Sequence, residues 1–227
     1  DLYSMRHFDD VVVIELMGRH AGWLAAAAAL LRRPDGAPHL ILVPEARLNE
    51  AALLAQVAEI YARHEACLVV AAEGVRDEAG NYLAEKQAAL PRDASGQRLL
   101  SLAAGVAPYL ASRILRELGL RCRQIRPDLI QRSCRLAVSE ADITLARLTG
   151  AKAVETLVAG LSDTMIGLVQ EEEWRTQPLG LASVVGRTQT LPAFYWEGAA
   201  FDLTAPGVDD LRRRLGQYPL REAPLLW

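Results

Sequence analysis

Apolar runs rich in β-branched residues alternate along this chain with stretches of helical spacing, and that alternation constrains the fold more than any other feature. The runs are VVVIEL at 11–16, HLILV at 39–43, CLVVAA at 67–72 and RCRQIR at 121–126. Near-continuous apolar character marks strands buried on both faces, the condition of a parallel sheet covered by helices. Helical patterns fill the gaps at 20–33, 48–64 and 97–118, the second opened by Asn49 as a cap with a glutamate after it. The resulting βαβαβαβ order predicts an α/β three-layer sandwich with a mainly parallel, Rossmann-like sheet. Beyond it, a helix over 139–159 starts at Ser139 and stops at Gly160, where glycine suits a left-handed cap. The stretch TMIGLVQEEEWRTQPL reads as two short strands, and the proline-containing tail holds short helices at 181–186 and 207–215. A division follows into an α/β body, 1–135, and a C-terminal helix and tail, 136–227.

Composition narrows the function classes. The 227 residues, 51% of them hydrophobic, suffice for a sizeable core. With 25 Lys+Arg against 28 Asp+Glu, the net charge of -3 gives no electrostatic ground for nucleic acid or an acidic membrane as partner. Lys86 and Lys152 are the only lysines, so the cations are overwhelmingly arginine, whose planar fork suits bidentate phosphate binding where a pocket gathers several. Cys67, Cys122 and Cys134 are odd in number and lack metal-ligand spacing, which fits a reducing cytoplasm and small core or lining residues. No run reaches the ~18 apolar residues of a membrane helix, and the N-terminus lacks the order of a signal peptide. The opening DLYSMRHFDD has no initiator methionine and reads as part of a longer protein. The alanines at 25–29 point to close helix packing, and there is no internal repeat.

In an open parallel sheet, ligands bind beyond the carboxyl ends of the strands, where loops lead into helices. Met17-Gly18-Arg19 sits at such an end. Gly18 lets the backbone approach a ligand, and Arg19 offers a fork of donors. Glu73, with Gly74 behind it, ends the third strand in the same way, and Arg123, Arg126 and Arg132 fall within ten residues further on. Each feature also has a plainer reading: a turn with a solvated arginine, a surface glutamate, a strand's solvated face. His20 could act as a base or be a hydrogen-bonded structural residue, and Trp23 reads as core. If Gly18 exists to admit a ligand, a side chain there should harm binding more than folding.

Taken together, the order and spacing resemble the phosphofructokinase family. VIELMGRHAGWLAAAAAL is similar to its substrate-binding strand and loop, LVPEARL to its next strand end, and VVAAEGV to its acidic substrate contact. LIQRS followed by SEADITLARLTGAKAVETLVAG is similar to its second phosphate-binding loop and helix, and DTMIGL and DLTAPGVDDLRRRLGQYPL to its closing segments. The resemblance spans nearly the whole chain. It implies phosphoryl transfer from ATP or pyrophosphate, with Mg2+, to the 1-hydroxyl of fructose 6-phosphate in glycolysis. It further implies that Met17, Gly18 and Arg19 contact the sugar phosphate, with Arg19 stabilising the transferred group. Glu73 would accept hydrogen bonds from sugar hydroxyls. Arg132 would hold the 6-phosphate, Gln131 would belong to the same substrate-binding set, and Arg123 would reach into a neighbouring subunit's site in a homo-oligomer. Guanidinium groups at both phosphates suit a reaction that is mostly positioning and charge stabilisation.

The chain also departs from the family pattern. Leu129 stands three residues before Arg132, where the family has a histidine or tyrosine on the sugar, and Asp10 stands seven before Met17, where ATP-using members carry an arginine. The AGW and QRS forms look more like the pyrophosphate-using or mixed branch. The donor loop, Gly-Gly-Asp-Gly or Gly-Gly-Asp-Asp, and the Pro-Lys-Thr-Ile-Asp-Asn-Asp segment that supplies the catalytic base and a magnesium ligand do not occur in the sequence. The chain is therefore expected to be the substrate-binding, C-terminal part of such an enzyme, inactive alone, its residues 136–227 packing back on an N-terminal domain. The alternative is a sugar-phosphate-binding sensor or regulatory module without chemistry. An unrelated dinucleotide-binding domain is disfavoured because no GxGxxG follows any strand.

Overall fold

A computed structural model describes residues 10–32, 36–87, 105–135, 138–171 and 173–215. The described chain divides into two units, one formed by the residues up to Gln131 together with those from Gln189 onward, the other by Arg132–Thr188. This differs from a single boundary at 135: the tail leaves the second segment and returns to the first unit.

In chain order the first unit holds β1 (Val11–Leu16), α1 (Trp23–Ala27) continuing as a 3-10 turn Ala28–Leu31, β2 (Leu40–Leu42), β3 (Arg47–Leu48) and α2 (Glu50–His64). It continues with β4 (Cys67–Ala72), β5 (Arg76–Asp77), a 3-10 segment Leu83–Gln87, α3 (Val106–Leu118) and β6 (Cys122–Ile125), before the short α4 (Ile130–Ser133). Four of these strands make a wholly parallel sheet in the order β2-β4-β1-β6. The predicted α/β architecture is thus present. β1 and β4 are central and buried, with Val11, Val13, Cys67 and Ala71 fully shielded, as continuous apolar strands require. Burial pushes the Cys67 thiol up to about 12, which keeps it protonated and inert.

The helices obey their local signals. Asn49 Oδ1 accepts from the Ala52 amide at 2.8 Å, Glu50 lies in the first turn of α2 and Arg63 and His64 in the last, and Leu53 and Val57 face the core one turn apart. On α3 the buried set is Val106, Ala107, Leu110, Ala111 and Ile114, a single face that ends at the left-handed Gly119. The part of the predicted helix over 97–104 lies outside the described residues. The helix predicted over 20–33 is shorter, because Arg32 is extended and because Gly22 serves the loop that precedes it. Ala25, Ala26 and Ala29 are buried, as close packing needs. The two-residue pair β3 with β5 is too short to leave a periodic trace.

The tail carries a 3-10 turn Ala193–Tyr195. In the second unit α5 (Glu140–Val158) is capped by Ser139 Oγ, which accepts from the Asp142 amide at 3.1 Å, and it is followed by Gly160 at φ +80. It packs on an antiparallel hairpin, β7 (Thr164–Gln170) with β8 (Trp174–Gly180), each strand seven residues long and so longer than expected, before α6 (Leu181–Val184). The tail itself adds β9 (Trp196–Glu197), β10 (Asp202–Leu203) and α7 (Ala205–Leu215). Leu191, Tyr195, Phe201, Leu203 and Leu211 belong to the same buried cluster as the parallel sheet, and the Ile41 amide donates to the Phe201 carbonyl at 2.8 Å. The tail thereby covers the β2 edge, which would otherwise expose unpaired backbone groups.

Candidate functional site

The strand order places a switch point. The connection leaving β1 runs to β2 on one side of the sheet, while the connection leaving β4 runs to β6 on the other, and β1 and β4 are neighbours. Crevices for ligands open at such points, beyond the carboxyl ends of the diverging strands. The residues there are Met17-Gly18-Arg19 after β1 and Glu73-Gly74 after β4, the pieces that the sequence singles out.

These two loops are locked together by backbone. The Glu73 amide donates to the Leu16 carbonyl at 2.9 Å and the Gly74 amide to the Gly18 carbonyl at 3.1 Å. Gly74 is buried, and a Cβ there would lie 2.0 Å from the Arg19 carbonyl oxygen and 2.7 Å from that of Gly18. Gly18 itself has φ +149, and a Cβ on it would stand 2.7 Å from the Ala21 carbonyl oxygen. Its glycine is therefore demanded by the backbone whether or not a ligand lies against it, and Gly18→Ala should cost about 1 kcal/mol or more of stability in a urea titration.

Two side chains fix the first loop from outside. The Met17 amide donates to Gln131 Oε1 at 3.0 Å, while Gln131 Nε2 donates to the Asp128 carbonyl at 3.1 Å. Gln131 thus joins the second loop to the first, a role the QRS motif only hinted at. Glu45, in the PE of LVPEARL, accepts from the Gly22 amide at 3.0 Å and from the Leu191 amide at 2.9 Å. It anchors the far end of the Met17–Gly22 loop to the tail, and no local pattern reveals that partner.

A third carboxylate lies beneath the rim. Glu15, in the otherwise apolar β1, is 7% exposed. Its Oε2 accepts from the Ala107 amide at 2.8 Å, at the start of α3, and its Oε1 is 3.5 Å from Arg126 Nε. Burial pushes this carboxyl above the usual carboxylate range; the Ala107 amide and Arg126 pull it down, and the Glu73 charge adds to the upward push. The signal was visible as one acid in a buried strand.

Other candidates are arranged differently. Arg123 is exposed in mid-strand, paired with Val12. At ~3.3 Å per residue, that sets it ~16 Å behind the level of Met17, so within one chain it does not share the rim, and Arg126, just past β6, lies nearer to it. Arg132 and Leu129 are both exposed, Arg132 in the second unit. His20 is exposed, and Trp23 is half-buried, its Nε1 donating to the Gln189 carbonyl at 2.8 Å. Asp10 lies at the opposite end of the sheet, where Oδ2 accepts from the Arg121 amide at 2.7 Å. Among the described residues no group of three or more His, Cys, Asp or Glu could hold a metal ion. No described helix is long and apolar enough to cross a membrane.

Comparison with known proteins gives a consistent result. A family model described as phosphofructokinase matches residues 3–157. A pyrophosphate-fructose 6-phosphate 1-phosphotransferase from Xanthomonas campestris pv. campestris is 34% identical over 96% of this chain and 51% of its own, and one from Halomonas elongata is 37% identical over 86% and 46%. The crystal structure of a pyrophosphate-dependent phosphofructokinase from Nitrosospira multiformis aligns with a TM-score of 0.76 at 28% identity, covering 99% of this chain and 53% of that one. The chain spans about half the length of the curated relatives it matches.

Proposed function

Because this chain belongs to the phosphofructokinase family, we propose that it supplies the fructose 6-phosphate half of a cytoplasmic, glycolytic 6-phosphofructokinase that uses pyrophosphate in preference to ATP. In this reading Met17, Gly18 and Arg19 present backbone and guanidinium to the sugar phosphate, and Glu73 orients the sugar through its hydroxyls. Gln131 and Arg132 bind the 6-phosphate. The observation that carries it is the loop at the switch point, where Gly74 and Gln131 hold Met17-Gly18-Arg19 in one conformation beside Glu73. Held donors that need not reorganise are what phosphoryl transfer asks of a protein. Mg2+, when bound to the complete site, would neutralise charge on the phosphates.

Calorimetric titration with fructose 6-phosphate tests the reading. The chain is expected to bind it, and Arg132→Ala to weaken binding by about 2 kcal/mol, as loss of a charge-assisted pair does. Unchanged affinity would remove Arg132 from the site, and no heat from the unmodified chain would end the reading. With no Gly-Gly-Asp loop in its sequence, this chain alone is expected to make no fructose 1,6-bisphosphate from pyrophosphate.

We also propose a homo-oligomer, with Arg123 serving a neighbouring subunit. Leu157 and Val158 on α5 are 70% and 83% exposed, and Val154 and Val185 are exposed too. Apolar surface of that kind drives association. Light scattering at micromolar concentration should give a mass of at least two chains; a monomer would count against the role given to Arg123.

A further inference from the structure

We propose that Glu15 is a positioning residue for the sugar-phosphate site, acting through Arg126 to hold the segment from Arg126 to Gln131 against the Met17 loop. The inference deepens the function proposed above and rests on it for the identity of the ligand. A charge this well buried is costly unless something offsets it, so its presence in an apolar strand calls for a reason. The surroundings are built around it. Gly105 leaves the space the carboxylate occupies, since a Cβ there would lie 2.5 Å from Glu15 Oε2 and 3.0 Å from Arg126 Cζ.

A carboxylate needed only to cap α3 would be satisfied by the Ala107 amide, and the partner on its other oxygen would be irrelevant. The geometry differs from that. Oε1 faces Arg126, which directly follows β6, and β6 is paired with β1 so that Ile125 stands beside Ile14. Five residues beyond Arg126, Gln131 accepts from the Met17 amide. The loop from Arg126 to Gln131 is therefore tied to β1 at both ends, by an ion pair below the rim and a hydrogen bond on it. Neither tie uses a group assigned to the sugar hydroxyls. Arg126, with its side chain 36% exposed, is close enough to the rim for its charge to be felt there as well.

Glu15→Gln separates the two roles, because the amide oxygen still accepts from Ala107 while the charge facing Arg126 is gone. Arg126→Gln removes the other partner from the more exposed side of the pair, and a urea titration of each variant shows how much of the effect is global stability. Hydrogen exchange of the Met17 amide reports the far tie directly and needs no ligand; each variant is expected to speed it by ~10-fold, with the double variant no faster than either single one, as residues acting through one link behave. Affinity for fructose 6-phosphate should fall ~5-fold or more in each single variant, again without further loss in the double. Met17 exchange unchanged in Arg126→Gln overturns the proposal. Faster exchange in a chain whose unmodified form binds no fructose 6-phosphate upholds the positioning role and sinks the ligand reading instead.

Discussion

Gly74→Ala is expected to remove sugar-phosphate binding and to cost the fold about 3 kcal/mol, the upper part of the range for forced overpacking. The atoms that a new Cβ would meet are all backbone: the Arg19 oxygen at 2.0 Å, the Arg19 carbonyl carbon at 2.5 Å and the Gly18 oxygen at 2.7 Å. No rotamer change can clear them. Either the turn after β4 moves, breaking the bonds from the Glu73 and Gly74 amides to Leu16 and Gly18, or the Met17–Arg19 loop moves, taking Arg19 with it. Both routes separate Glu73 from Arg19. Gly18→Ala is the useful contrast, since its strain is partly its own φ and its nearest neighbour, Ala21, lies within the same loop. Urea titration and calorimetry on both variants would rank them. If Gly74→Ala binds fructose 6-phosphate with unchanged affinity and stability, the two loops are not interlocked in the way described.

What could be read from residues alone follows the range over which each signal acts. The four parallel strands, the Asn49 and Ser139 caps and the left-handed Gly160 are local, fixed by apolar runs and by side chains that reach their own backbone. Met17-Gly18-Arg19 and Glu73 were legible because a strand end followed by glycine and a charge marks a rim position in any parallel sheet. Arg123 was not, because its level depends on the register of β6 against β1, which no local pattern states. Arg126, three residues later, lies nearer to the rim. Glu45 was quoted as part of a motif, but its partners, Gly22 and Leu191, lie 23 and 146 residues away. The short pairs β3 with β5 and β9 with β10 offer too few residues for any period to show.

The tail is part of the parallel-sheet core, and Tyr195→Ala tests that assignment. Short helices and scattered prolines carry no periodic sign of a core segment, yet Tyr195 is fully buried in the same apolar cluster as the parallel sheet. Its ring meets Trp23 edge-on at 5.6 Å and Phe194 at 4.8 Å, and its hydroxyl bonds Asp210 and lies 3.2 Å from Arg214 Nε. Truncation to alanine is expected to cost about 3–5 kcal/mol, as for other buried aromatic side chains. Tyr195→Phe, which keeps the ring and leaves Asp210 paired with Arg214, should cost about 1 kcal/mol. The difference also bears on the site. The Gln189 carbonyl holds Trp23 and the Leu191 amide holds Glu45, which in turn fixes Gly22, so a tail that detaches releases the far end of the Met17–Gly22 loop. The alanine variant should therefore lose affinity for fructose 6-phosphate at urea concentrations where the phenylalanine variant retains it. A Tyr195→Ala chain as stable as the original would mean that the tail is not part of this core and that Glu45 positions the loop without it.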